Sequence, residues 1–533
     1  MRVRSVVGSK VLYVGLALLV VAIPAAVTFL MLDQYIGVSL DQFMPWVNDE
    51  ASLWHQALTF SHHGFTGGGY YTLYELPAKA SFTHYYAWGP FYPMLQGIFA
   101  RIFGWELYSG VIFNIMLLTG AIAFFVYAAR PTLVQLLLMG VLLATFWTML
   151  VYIPTGMQES FQSAAAIVLA AMFYRLIKEG PALPRAWQWA LGITILCISL
   201  IRGTWVLAFF PYFLLLSEHS WRGYLYAFVK ALVLSAGAFA FYSYISSELP
   251  YRFTDQLFDA VAAASGLGDK INAALDMFGD RLELNRRLYQ EDMPSFDWLL
   301  IGVVMWLEYF VLLIGVAIWL GVRATRAYRA RQPFRVGESI PREILFHGLN
   351  LLLLLILLVL LYQVDFRMGV AALLLSLLVM LMSRHYWVVV TVILVNLLVT
   401  PYFSNTYKVY VQGRFFPYRP YVEQVDALVN PYVEFDDDAP TGWCNTLLIP
   451  VEIYSWPVTV VPEGIGVSMY YTLDDLPLPA KSKYLVLTDS GAQRIGETQS
   501  LEKLSTQAMG LFTEPIGLYV NHDAGCEGQG GSD

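Results

Sequence analysis

The chain has 533 residues, of which 57% are hydrophobic and only 14% charged, with a formal net charge of −8 and a positive mean hydropathy. So apolar a composition excludes a protein built from one or two soluble cores, and the acidic balance excludes a nucleic-acid binder. Most of the chain must dissolve in lipid.

The first apolar stretch, Val11 to Met31, follows Arg2, Arg4 and Lys10 and has no small-residue cleavage site after it. It reads as a retained anchor rather than a signal peptide. Further stretches near the roughly 17 to 25 residues that cross a bilayer are Leu107 to Ala129, Leu133 to Ile153, Phe161 to Ile177, Trp187 to Ile201, Thr204 to Leu216 and Tyr224 to Ile245. Trp298 to Val322, Ile344 to Tyr362, Val370 to Met382 and Tyr386 to Tyr402 complete the set. The expected fold is an α-helical polytopic membrane protein with about 11 transmembrane helices.

Lys and Arg collect in short cytoplasmic loops. The densest basic run, Arg323, Arg326, Arg329, Arg331, Arg335 and Arg342, therefore marks the cytoplasmic side, shared by alternation with Arg130, Arg175 to Arg185 and Arg222. The amino terminus is then inside, and loops 32–106 and 246–297 are outside with the tail. The expected division is a transmembrane catalytic domain, 1–402, and an extracytoplasmic soluble domain, 403–533. In the tail, carboxylates outnumber basic groups about two to one, as suits a solvated domain. Asn445 to Pro450, Val458 to Val461, Tyr484 to Thr488 and Ile516 to Val520 read as strands, and Glu423 to Leu428 and Leu501 to Met509 as helices, which makes a small α/β domain. Cys197 reads as a small buried apolar residue. Cys444 and Cys526 share the oxidising side, where a bridge is permitted but not dictated. Asp436, Asp437 and Asp438 read as an exposed acidic turn rather than a calcium site.

Chemistry concentrates in the first external loop. Asp49 and Glu50 begin a short interfacial helix, Asn48 to Phe60; adjacent acids on a helix diverge, so one faces a reaction centre while a partner holds the other. A carboxylate near the bilayer surface loses hydration and becomes a stronger proton acceptor. The competing reading is that both acids simply favour the helix dipole. Downstream come His62 and His63, Gly67 to Gly69, and the aromatic run His84, Tyr85, Tyr86, Trp88, Phe91 and Tyr92, whose flat rings suit sugar faces or lipid headgroups. Glu159 adds a carboxylate and Arg202 a cation at the external ends of later spans, where charge is costly and tends to be functional or paired. Glu308, inside a span, awaits a cationic partner from a neighbouring helix. The second loop offers Arg286 and Arg287 among interleaved acids, read either as an amphipathic lid or as a solvated helix.

These motifs, in this order and on one side, resemble the GT-C superfamily of membrane glycosyltransferases, which includes protein O-mannosyltransferases and the lipid A aminoarabinose transferase. The resemblance covers the organisation of about the first 220 residues and the plan of many spans followed by an external tail. It implies transfer of a sugar from a polyprenyl-phosphate donor to a glycan, lipid or protein acceptor outside the cytoplasm, with inversion. By the resemblance Asp49 is the general base, and Glu50 or Glu159 orients acceptor or base. Arg202, then His84 or Lys79, would neutralise the leaving phosphate; Tyr85, Trp88, Tyr92, Arg286 and Arg287 would line the substrate loops. The resemblance fixes no cofactor, and a divalent cation stays open, since Asp49 and Glu159 lack an evident third ligand. A bacterial inner membrane is the expected location. A multi-span transporter, and a lipid-linked polysaccharide ligase or polymerase, are the alternatives.

Overall fold

The computed structural model of the chain describes residues 2–45, 48–64, 71–73, 75, 89–218, 220–246, 259–291, 296–329, 341–356, 367–436, 443–450, 459–470, 472–510 and 512–524. Helix α1 (Arg2–Met31) continues through a π-helical turn, Leu32–Ile36, which Gly37 ends at φ +79°. The first loop holds α2 (Asn48–His63), strand β1 (Tyr71–Leu73) and α3 (Phe91–Phe103). Then come α4 (Ser109–Ala129), α5 (Leu133–Thr145), α6 (Trp147–Leu150), α7 (Gln158–Glu179), α8 (Arg185–Ile201), a 3-10 segment Gly203–Ala208, α9 (Phe209–Leu216) and α10 (Trp221–Ile245). The second loop carries α11 (Leu267–Glu291), and α12 (Phe296–Arg329), α13 (Arg342–Ile356), α14 (Arg367–Met382) and α15 (Tyr386–Val429) complete the bundle.

Among the described residues, six segments are long and apolar enough to cross a membrane: Lys10–Ile36, Ser109–Ala129, Gln158–Ala182, Trp221–Ile245, Val304–Arg323 and Tyr386–Val409. Shorter apolar helices, α5, α8, α9 and most of α14, pack among them. The Gln158–Ala182 segment is 78% buried against 22% for the first and for Trp221–Ile245, so α7 is the central post and α1 and α10 are peripheral. Val11, Trp221 and Leu398 are exposed at 67%, 80% and 81%; apolar surface on this scale is stable only against lipid. The chain is an integral membrane protein.

Two expected spans differ from the helices formed. Leu133 to Ile153 breaks at Phe146. Irregular backbone inside a bilayer survives only where protein replaces the lost helical bonds, and the Trp147 N–H donates to Asn396 Oδ1 on α15 at 3.3 Å while its Nε1–H donates to Thr400 Oγ1 at 2.8 Å. Thr204 to Leu216 begins as a tighter 3-10 segment before α9. Helix α3 had no counterpart in the sequence reading. Among the described residues Glu308 pairs with no arginine, and its Oε1 accepts from Asn396 Nδ2 at 2.7 Å. Cys197 is exposed on α8 rather than buried, because that face has lipid, not protein, to cover it.

Helix α15 runs unbroken past position 402 to Val429 and leads into a six-stranded sheet. Its strands β2 (Thr446–Pro450), β3 (Gly466–Tyr470), β4 (Tyr484–Thr488), β5 (Leu501–Gln507) and β6 (Ile516–Asn521) join β1 in the order β1-β3-β2-β4-β6-β5. Helix α16 (Asp489–Gly496) follows β4. The first four strands in that order are parallel, and β4-β6-β5 are antiparallel. Strand β1 comes from the first loop, with Tyr71 opposite Val467, so the sheet is built from both ends of the chain. The helix expected over Leu501 to Met509 is instead β5, drawn into the sheet by β6 with a bulge between Lys503 and Ser505. Val458 lies outside the described residues and Thr459 to Val461 form turn; the strand there begins at Gly466. Cys444 is disulfide-bonded, whereas Cys526 lies outside the described residues, as do Asp437 and Asp438.

Candidate functional site

Beyond α6 the chain stays irregular until α7 begins at Gln158, and segment 154–157 is fully buried. Its backbone groups must therefore find partners within the protein. Asn114 of α4, a polar residue in an otherwise apolar helix, donates from Nδ2 to the carbonyls of Thr155 and Met157 at 2.8 Å each. Gln96 of α3 reaches the Gly156 carbonyl at 3.2 Å. The Tyr92 hydroxyl lies 3.0 Å from Asn114 Oδ1 and from the Gly156 and Met157 carbonyls. The Gly156 N–H donates to Glu50 Oε1 at 2.5 Å. Gly110 of α4 is required by space, since a Cβ there would stand 2.9 Å from the Gly156 Cα.

Asp49 and Glu50 lie in the first turn of α2, and the structure separates them. Glu50 is 2% exposed, in a closed crevice with Trp54, Gln96, Trp105 and Gly156, and its carboxylate anchors the 156 junction. Asp49 is only half-buried. Glu159, in the first turn of α7, is 9% exposed. Burial first, and then the nearby charges of Glu159 and Glu50, hold the Tyr92 hydroxyl well above the usual phenol pKa, although the Asn114 bond acts the other way. Tyr92 thus serves beneath the junction: it is completely buried and offers no face to a substrate.

Arg202, at the carboxyl end of α8, is 3% exposed and donates from Nη1 to Gln158 Oε1 at 3.0 Å. Gln158 in turn donates to the Ile201 carbonyl at 2.8 Å. One turn along α7, Gln162 accepts from the Trp205 indole N–H. Arg202, Gln162, Thr204, Trp205 and Asn350 are the polar lining of a groove of about 590 Å³, open mouth included, whose remaining wall is apolar, with Phe173, Leu354 and Leu375. Glu50 and Arg202 are thereby tied to residues 156 and 158, one on each side of the same junction.

The sheet domain grips α2 from its other side. His55 Nε2–H donates to the Pro462 carbonyl at 3.0 Å, the Gly464 N–H donates to Thr59 Oγ1 at 3.1 Å, and the His63 ring lies 4.7 Å from that of Phe435. Burial pulls the His55 pKa down to about 4 against the smaller opposing effects of the Pro462 carbonyl and the Glu463 charge. Glu75, at φ +50°, donates its N–H to Ser468 Oγ at 2.8 Å, and its carboxylate accepts from the Lys481 and Ser482 N–H groups at 2.6 and 2.8 Å.

His84, Lys79, Tyr85 and Trp88 lie outside the described residues, and the side chains of Arg286 and Arg287 on α11 do likewise. The sequence reading missed Asn114, Gln96, Gln158 and Gln162; the signal available was a polar side chain interrupting an apolar helix. Among the described residues, no three His, Cys, Asp or Glu side chains converge to hold a metal ion.

Fold and site define a polytopic helical membrane protein in which a buried acid, Glu50, and a buried cation, Arg202, are tied to residues 156 and 158 of one junction, with an α/β domain bonded to α2. No protein-family model matches the chain, and no curated protein does. Solved structures similar to it are those of ArnT from Cupriavidus metallidurans, in the apo state and bound to undecaprenyl phosphate. They are 13% and 14% identical, with TM-scores of 0.40 and 0.41, and each alignment covers 95% of this chain and 98% of the other.

Proposed function

We propose that the protein transfers a sugar from a polyprenyl-phosphate donor to an acceptor hydroxyl, with Asp49 as general base and Arg202 as the phosphate-side cation. The observation that carries this reading is the shared junction: Gly156 holds the α2 acid pair through Glu50, and Gln158, two residues on, holds Arg202 at the polar end of an apolar groove. A lipid phosphate needs that pairing of a cation with an apolar channel. Asp49, the less buried acid, takes the proton of the acceptor hydroxyl as its oxygen bonds to the anomeric carbon. The bond from that carbon to the phosphate oxygen breaks, inverting the centre, and the departing phosphate keeps the electron pair, its charge offset by Arg202. Glu50 is the anchor of this pair and Glu159 a neighbour that orients the acceptor.

The same reading assigns catalysis to residues 1–402 and an accessory role to 403–533, with the site facing outward from a bacterial inner membrane. The test compares wild type and Asp49→Asn in nanodiscs, scoring sugar release from labelled polyprenyl-phosphate sugars. Asparagine preserves size but not basicity, so turnover should fall by at least about a hundredfold while thermal stability is kept. Equal turnover removes Asp49 as the base; silence of wild type across a broad donor and acceptor panel removes the transferase reading.

A further inference from the structure

Helix α11 carries an apolar stripe whose amino-terminal half stands largely exposed. Leu267, Ile271, Ala274 and Leu275 recur at i, i+4, i+7 and i+8, the spacing of one helical stripe. Leu267, Ile271 and Leu275 are 78%, 52% and 62% exposed. Among the described residues, no other element packs extensively along this helix. The opposite face is set by Asp269, Asn272, Asp276 and Asp280. An apolar stripe left in water on a helix of 25 residues is an unfavourable arrangement; some surface must take it up.

We infer that α11 lies in the lipid headgroup and acyl boundary, as an interfacial helix that docks on the membrane on the side carrying the sheet domain. Three observations select lipid as the occupant. First, α11 lies in the chain between two spans, Trp221–Ile245 and Val304–Arg323. Only residues 292–295 separate it from α12, and five peptide steps reach at most about 18 Å, so its end stays close to where α12 enters the bilayer. Second, α10, the span that precedes α11 in the chain, ends in exposed rings, Phe241 and Tyr244, at 45% and 71% exposure, so the loop that carries α11 starts from a lipid-facing apolar surface. Third, acids and bases along α11 nearly cancel: Asp269, Asp276, Asp280, Glu283 and Glu291 against Lys270, Arg281, Arg286 and Arg287. A helix with that balance gains little from anionic headgroups, so its apolar face carries the binding to a neutral interface. Laid flat, the helix covers about 37 Å of membrane surface. This inference does not depend on the transferase reading.

The test places an environment-sensitive fluorophore at Leu275→Cys, Ile271→Cys or Asp276→Cys in the full chain carrying Cys197→Ser, reconstituted in vesicles of zwitterionic lipid. Lipids brominated on the acyl chain should quench the labels at 271 and 275 by at least about twofold, with little effect at 276, as expected for a face seated about 5–10 Å into the boundary. Aqueous iodide should show the reverse order, and raising the salt should leave both patterns unchanged. Equal iodide access at 275 and 276 overturns the inference in favour of a solvated helix. Protection of 275 from iodide without bromolipid quenching overturns it in favour of a protein cover.

Discussion

Glu75 offers the sharpest test of how the sheet domain holds the first loop. Its carboxylate is 2% exposed and accepts two backbone N–H groups, from Lys481 at 2.6 Å and Ser482 at 2.8 Å. Glu75→Ala keeps a β-carbon at this φ of +50°, so it adds no backbone strain, but it strands both donors. Each buried unsatisfied group costs about 1–3 kcal/mol, so the variant should lose about 2–6 kcal/mol. Glu75→Gln keeps one acceptor and turns an amide N–H towards the other donor, so roughly half that loss is expected. The pH dependence separates the two effects. Burial is the largest influence on Glu75 and raises its pKa above 4.5, outweighing the bonds from Ser482 and Lys481. The folded state therefore binds the proton more tightly than the unfolded one. The contribution is full below 4.5 and is lost as pH rises through the raised folded value. Wild type should lose stability relative to Glu75→Gln across that window. Thermal unfolding of the full chain, with hydrogen exchange at the Lys481 and Ser482 amides, reads both effects. Unchanged amide protection in Glu75→Ala, or a flat pH difference between wild type and Glu75→Gln, would refute the reasoning.

Tyr92→Phe removes the hydroxyl shared by Asn114 and the 156–157 carbonyls; a loss of about 1–3 kcal/mol is expected in thermal unfolding, and none would mean that water or Gln96 replaces it. Gly110→Ala drives a Cβ to 2.9 Å from the Gly156 Cα, an overpacking that should cost about 1–3 kcal/mol and shift the Glu50 crevice, both visible in a denaturation midpoint. His55 is depressed from 6.5 to about 4, so its contribution is complete above 6.5 and is lost as pH falls through the folded value. The slope across that window should approach about 1.4 kcal/mol per pH unit. His55→Gln should flatten that slope in thermal unfolding followed from about pH 4 to 6.5.

The spans were legible because lipid demands long apolar runs, and α4, α7 and α10 lie within two or three residues of the expected stretches. The break at Phe146 was not, because it depends on Asn396 and Thr400, some 250 residues away in sequence, supplying partners for the freed backbone. The acid pair was recognisable from its position after the first span. Their different surroundings were not: the approach of Gly156 makes Glu50 a backbone acceptor and leaves Asp49 the more accessible group. Likewise Leu501 to Gln507 has local features compatible with a helix, and the decision for strand comes from β6.

Strand β1 waits for its partner. Tyr71 is synthesised about 400 residues before Val467, and at about 5–20 residues per second the ribosome needs roughly 20–80 s to supply it. Through that interval the first loop has crossed to its side of the bilayer with an open strand edge and with His55 and Thr59 lacking their mates. Biogenesis of this protein therefore closes late: a segment made about 400 residues later completes a sheet begun by the first loop, and truncation before Gly466 leaves α2 unsupported however well the helical bundle has inserted.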